Sequence, residues 1–271
     1  MDREALSGLK VLEYSEFISG PYCGKLLANL GAEVIKVEPP GLGDKARSWG
    51  PFPNDIPHPE KSGLFLYLNT NKLGVTLNMG TVAGIKIFTE LVKQVDVLIE
   101  SNPPHEMEWL GLDYEYLHQI NPKLVVTSIT LFGQTGPYHD YKGCDLIGLH
   151  TGGEAFINPS EGVDDLEQEP PLKVPAHSGD TWAGLSAAIC TMAAVTTQQA
   201  TGVGQHVDLS QQDAIAYMPC QEFGQYNYGG TVYHREREKR GGVVQWLPVF
   251  PHQKRLHHHE HVFRCLLAPV S

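Results

Sequence analysis

The chain has little of what marks a secreted, metal-built or nucleic-acid-binding protein. Its five cysteines, Cys23, Cys144, Cys190, Cys220 and Cys265, are odd in number, scattered along 271 residues and free of any C-x-x-C pair. Neither a disulfide framework nor a cysteine zinc site is expected from them, and a reducing compartment suits them. Positive charge is also short: 20 Lys and Arg face 31 Asp and Glu, a formal net charge of −11. That balance opposes nucleic acid and anionic membrane as partners, and leaves anionic small molecules only through a local basic pocket. No apolar run is long enough to cross a bilayer, and the first residues lack a signal peptide's apolar stretch. The expectation is a cytoplasmic protein, with a mitochondrial or peroxisomal matrix as the alternative. Several catalytic signatures are missing as well. There is no G-x-S-x-G nucleophile elbow and no H-E-x-x-H. The first strand-to-helix turn, Glu16 to Pro21, lacks the G-x-G-x-x-G of a dinucleotide fold, although Glu38 stands where such a fold keeps its ribose-binding acid.

What is present reads as alternating strands and helices. Residues 8–14 form a short buried strand, 22–30 a helix stopped by Gly31, and 33–38 a second strand, a βαβ unit with parallel strands and a right-handed crossover. The pattern repeats: helix 81–94 into strand 95–100, helix 114–120, an Asn121-Pro122 turn, then the β-branched strand 124–129. A Gly-, Pro- and acid-rich stretch at 138–179 reads as loop, with 161–171 exposed. Helical character returns over 180–199, followed by strand 205–209 and a helix opened by Ser210, whose Ser-x-x-Asp pattern with Asp213 has the form of a capping box. Residues 224–242 read as loop or crossover. The fold class is therefore α/β, a Rossmann-like open parallel sheet with flanking helices.

Asp180 is the candidate for chemistry. It stands at the start of a helix rich in small residues, where unpaired N–H groups and the positive end of the macrodipole favour its negative charge. The Gly and Ala residues after it are expected to let a ligand approach the backbone. Most aspartates in such positions are helix caps and nothing more. His177, three residues earlier, is read as a local polar contact. Two loops combine turn residues with cations, Gly41 to Asp44 with Lys45 and Arg47, and Asn69 to Lys72. Either could hold phosphate, although loop cations are usually solvated surface. Gly20-Pro21 suits a helix start that could receive an anion. No metal site is expected in the globular part. His257, His258, His259 and His261 could supply imidazoles, but the tail that carries them reads as unstructured.

The ordered motifs resemble the class III coenzyme A transferases, the CaiB/BaiF type that includes formyl-CoA and carnitine CoA transferases. They run Gly8-Leu9-Lys10-Val11-Leu12-Glu13, Ser19-Gly20-Pro21, residues 30–40, Gly43-Asp44, Asn69 to Lys72, and Leu110-Gly111-Leu112. Further along come residues 133–137, Asp145 with Gly152-Gly153, Gly179-Asp180, and residues 201–205. The resemblance implies that Asp180 is the catalytic nucleophile. It would form an aspartyl anhydride and then an aspartyl-CoA thioester as CoA passes from an acyl-CoA to a carboxylic acid. It implies CoA contacts at Ile18, Ser19, Pro39, Leu77, Asn78, Met79, Ser101, Asn102, Tyr141 and Lys142, with Arg47 and Lys72 added on charge grounds. It implies no permanently bound cofactor, the CoA thioester being substrate, and an interlocked homodimer. Related α-methylacyl-CoA racemases pair the matching aspartate with a histidine. Cys144, immediately before Asp145, stands where that histidine is expected, which favours transfer. Two departures concern the nucleotide end: residues 101–105 replace an Asn-Phe-Arg-Pro-Gly type of segment, and Trp109 stands where an Arg is common. The likeness fades after about residue 248. The expected organisation is a large domain at 1–223, a crossover at 224–248 and an atypical tail at 249–271, with the family's small second domain truncated or missing. A racemase-like enzyme and an inactive CoA-binding fragment are the alternatives.

Overall fold

The computed structural model describes residues 4–160 and 163–235. The chain runs β1 (Lys10–Tyr14), α1 (Ser19–Asn29), β2 (Glu33–Glu38), α2 (Gly63–Leu68), β3 (Lys72–Thr76), α3 (Val82–Val92) and β4 (Val97–Glu100). It continues through α4 (Glu106–Trp109), α5 (Tyr114–Ile120), β5 (Val125–Thr130), α6 (Asp145–Thr151) and α7 (Ser178–Thr201). The last described elements are β6 (His206–Ser210), α8 (Gln211–Ala216) and α9 (Cys220–Gly229). The six strands form one all-parallel sheet in the order β3-β2-β1-β4-β5-β6. The Rossmann-like expectation therefore holds.

Helices on both faces explain why β4 and β5 are buried along their whole length. Successive strand residues alternate between the two faces. Val11, Val97, Ile99, Val125 and Ile129 pack with Leu27, Ala183 and Ala187 on the side of α1 and α7. Leu12, Leu98 and Val126 pack with Phe88, Val92 and Leu117 on the side of α3 and α5. Strand order reverses between β1 and β4, so the crevice beyond their carboxyl ends is the natural ligand position of such a sheet.

Helix ends follow local chemistry. Thr81, Asp113 and Ser210 each accept from a backbone N–H three residues on, at 2.9–3.2 Å. The Ser210 half of the expected capping box is present. Gly202, at φ 77°, ends α7 in the left-handed conformation.

Several elements differ from the sequence expectation. Lys72 opens β3 instead of closing a loop, and α2, α4 and α6 occupy stretches without a clear periodic signal. They are four to seven residues long, too short for a 3.6-residue period to show. The helix over α1 starts three residues earlier than read, at Ser19, and residues 224–229, read as loop, are the end of α9. The tail from residue 249 lies outside the described residues.

Candidate functional site

Asp180 is not the cap of α7 but its third residue, the N-cap position belonging to His177. Its carboxylate is buried, and Oδ1 accepts from Gln211 Nε2 at 3.0 Å. Its Oδ2 lies 3.4 Å from His177 Nδ1, the local contact expected from the spacing. The Asp180 backbone N–H donates to Asp145 Oδ1 at 2.9 Å, while Asp145 Oδ2 pairs with Lys173 Nζ at 2.7 Å. Four segments thus meet around Asp180, α6 through Asp145, the 173–177 loop, the start of α7, and α8 through Gln211, with Gln211 and His177 touching the carboxylate itself. Cys144, just before Asp145, is exposed at the N-cap position of α6.

The small residues around Asp180 serve packing, not ligand access as expected. A Cβ on Gly179 would stand 2.8 Å from Ile215 Cδ1 and 2.9 Å from Asp145 Oδ1. One on Gly184 would stand 2.5 Å from the Ser19 carbonyl oxygen. Glycine lets α7 lie against the start of α1, which brings Asp180 to the carboxyl end of β1. Phe17, Trp49 and His177 form a cluster of edge-on rings there, centroids 5.1–5.5 Å apart. Phe17 takes φ 69°, and its N–H donates to Asp44 Oδ1 at 3.0 Å.

Behind that turn lies a buried ion network. Lys36 Nζ is 2.9 Å from Glu13 Oε1 and 2.8 Å from Asp44 Oδ2, and Lys72 Nζ is 2.8 Å from Glu13 Oε2. Burial pushes the Lys36 ammonium down, but Glu13 and Asp44 outweigh it and hold it above the usual lysine range. Lys72 pairs with one carboxylate where Lys36 pairs with two, and burial pushes it down to about 8.

Lys72 is therefore not the loop cation offered to phosphate that the sequence suggested. Its side chain is 2 % exposed and its ammonium also donates to the Pro21 carbonyl and Asn69 Oδ1. Arg47 is also engaged, donating through Nε and Nη2 to both Glu38 oxygens at 2.7 and 2.9 Å, pairing with Glu60 and lying over Phe65. It nevertheless lines, with Glu16, Pro39, Lys45 and Phe52, a cavity of about 500 Å³. Its lining residues Glu16 and Ser48 are chain neighbours of Phe17 and Trp49, whose rings pack on His177 beside Asp180. A second cavity, of about 320 Å³, lies by Ser7, Asp96 and Gln198 and includes none of these residues.

The remaining expected contacts divide by placement. Ser19 opens α1, and Ser101 Oγ accepts from the Glu16 N–H at 3.3 Å, so both lie at the β1/β4 switch point. Asn102 donates through its backbone N–H to Glu100 Oε2 at 2.9 Å. Glu100 is buried, and burial pushes its carboxyl up to about 7 against hydrogen bonds from Ser128 and Asn102. The side chains of Ile18, Leu77 and Met79 are buried, which leaves only their backbone for a ligand, whereas Asn78 between the latter two is exposed. Tyr141 and Lys142 are exposed on a loop whose Tyr138 and Tyr141 pack on Phe132. That loop meets the segment after β4, where Asp140 Oδ1 lies 3.4 Å from His105 Nε2.

Sequence reasoning missed Gln211, Lys173, Phe17 and Trp49. Ser210 signalled the start of α8 and so placed Gln211 at its first residue, but nothing in the sequence joined that residue to Asp180.

A family model described as CoA-transferase family III matches residues 6–254. A succinyl-CoA–D-citramalate CoA-transferase of Chloroflexus aurantiacus is 36 % identical over 241 residues, covering 88 % of this chain and 56 % of that protein. A formyl-CoA:oxalate CoA-transferase of Rhodopseudomonas palustris is 36 % identical over 256 residues, covering 88 % and 58 %. A crystal structure of a CaiB/BaiF family protein from Brucella suis superposes with a TM-score of 0.77 at 33 % identity, covering 87 % of this chain and 60 % of that one. The chain thus spans less than three fifths of the length of those two curated relatives.

Proposed function

The chain belongs to CoA-transferase family III, and on that premise we propose that it transfers coenzyme A from an acyl-CoA to a carboxylic acid with Asp180 as nucleophile. The observation that carries this reading is the Asp180 carboxylate held by Gln211 at the start of α7. His177, in contact with that carboxylate, packs on Phe17 and Trp49, the chain neighbours of residues that line the cavity with Pro39 and Arg47.

The reaction balances as two exchanges. An Asp180 oxygen attacks the thioester carbonyl, the C–S bond breaks, and an acyl-aspartyl anhydride and CoA thiolate form. The thiolate then attacks the aspartyl carbonyl, releasing the first carboxylate and leaving an aspartyl-CoA thioester. A second carboxylate repeats the two steps in reverse and departs as its CoA thioester, restoring Asp180. Gln211 keeps one oxygen fixed and leaves the other to attack, with no proton transfer required. Its amide can also donate to the Asp180 oxygen that bears charge in the tetrahedral intermediates formed at the aspartyl carbon. CoA would run along Ile18, Ser19, Pro39, Ser101 and Asn102, with Asn78, Arg47, Tyr141 and Lys142 toward its ends and Leu77 and Met79 contributing backbone. Two copies of the chain would make the working unit.

The test is incubation with an acyl-CoA followed by hydroxylamine, which captures an activated aspartyl group as a hydroxamate. The modification is expected at Asp180, with transfer to a second carboxylic acid in its absence. Turnover that survives in Asp180→Ala would overturn the assignment. Wash-in of solvent deuterium at the α-carbon without any change of acid would select racemisation instead. CoA binding without exchange would select a binding role.

A further inference from the structure

Outside this site, the fold brings together three ligand-type side chains that the sequence keeps far apart. His105 follows β4, while His139 and Asp140 lie on the loop after Gly136. One ligand atom from each lies within 4.8 Å of the others, and the two imidazole centroids are 5.6 Å apart.

The hydrogen bonds fix which nitrogens are available. His139 Nδ1 meets the Gly136 carbonyl oxygen at 2.5 Å, and His105 Nδ1 meets Glu108 Oε2 at 3.2 Å. Both partners can only accept, so each Nδ1 carries the proton and donates. In a neutral ring the other nitrogen, Nε2, then bears a lone pair. Both Nε2 atoms face the same carboxylate: His139 Nε2 lies 3.1 Å from Asp140 Oδ2, and His105 Nε2 3.4 Å from Asp140 Oδ1. A neutral ring has its Nε2 lone pair free for a cation held beside that carboxylate, whereas a protonated ring donates to the carboxylate as an ion pair. The 3.1 and 3.4 Å separations, each to its own Asp140 oxygen, are near the distance between two ligands of a tetrahedral cation bonded at the usual zinc lengths, about 3.3 Å. The outer contacts are those a metal-bound histidine commonly makes through its second nitrogen, to a backbone carbonyl and to a carboxylate. His105 is held in position at φ 68°, a conformation uncommon for any residue with a side chain.

We propose that His105, His139 and Asp140 bind one divalent transition cation of the zinc class, water completing the shell. The cation clips the loop that carries Tyr141 to the segment that follows β4. Two imidazoles and one carboxylate suit zinc or cobalt better than magnesium or calcium, which prefer oxygen alone.

The test uses the full chain with His257, His258, His259 and His261 changed to Ala, so that tail histidines do not compete. Titration with zinc chloride by calorimetry is expected to give one equivalent. Cobalt at the same site is expected to show the visible bands of a low-coordinate N/O complex. Glu108→Gln is expected to weaken binding about 10–100-fold by releasing the His105 ring, and His139→Ala or Asp140→Asn more than that. Zinc should raise the melting temperature of the parent and not of His139→Ala, whose metal-free melting temperature serves as the folding control. A parent that binds no zinc, which would make the cluster a set of ion pairs, overturns the proposal. So does zinc binding that is unchanged in His139→Ala.

Discussion

Asp180 shows how a single residue's role depends on partners that are remote in sequence. Its Oδ1 has one side-chain donor among the described contacts, Gln211, and losing a hydrogen bond to a charged group costs about 1.5–3 kcal/mol. Gln211→Leu is therefore expected to lower kcat for transfer about tenfold to a hundredfold while the KM for acyl-CoA stays nearly constant. Steady-state kinetics would check this, and an effect confined to KM would contradict it.

Glu100 offers a separate residue-scale prediction, in stability. Its carboxyl is raised by burial from 4.5 to about 7, so between those values the folded state holds a proton that the unfolded state has released. The resulting stabilisation is full below about pH 4.5 and is lost as the pH rises through about 7. Glu100→Gln, which cannot ionise, should gain on the parent across that window, by about 2–3 kcal/mol. Denaturant melts at several pH values would measure it; a constant difference would mean that Glu100 is ionised throughout.

At the scale of elements, the site depends on how closely α7 approaches α1. Gly184 has no room for a methyl group against the Ser19 carbonyl, so Gly184→Ala must push the helices apart. Such overpacking costs about 1–3 kcal/mol, and because it moves Asp180 away from the β1 turn, activity should fall more than stability alone explains. Thermal melts and assays on the same preparation separate the two effects. The long α7 and the strands β4 and β5 were legible in sequence, the helix from its length and the strands from their continuous apolar and β-branched residues. The short α2, α4 and α6 were not, and β3 was hidden because Lys72 and Asn69 resemble loop chemistry until Glu13 is known to lie opposite.

Over the whole molecule, charge is arranged by depth. The chain is strongly acidic, yet two of its lysines, Lys36 and Lys72, are spent inside on Glu13 and Asp44. Removing one member strands the others, and breaking a buried ion pair typically costs about 3–5 kcal/mol. Lys72→Met is expected to destabilise by that order, and equilibrium unfolding would detect it. Exposed apolar side chains on neighbouring segments, among them Leu66, Tyr67 and Leu73, are in keeping with a second copy. Light scattering is expected to give twice the mass of one chain, and a monomer at micromolar concentration would exclude the dimer.

The sequence by itself determined the α/β class, the family resemblance and the candidate aspartate, because periodicity and ordered motifs are local properties of the chain. Tertiary structure alone decided what surrounds that aspartate. It turned Gly184 from a ligand opening into a helix contact, Lys72 from a candidate phosphate-binding cation into a buried ion, and His105 and His139 from unrelated residues into neighbours. The physical reason is the parallel sheet, whose crossovers bring strand ends and helix starts from distant stretches to one edge, where burial and charge pairing act between residues that no sequence spacing relates.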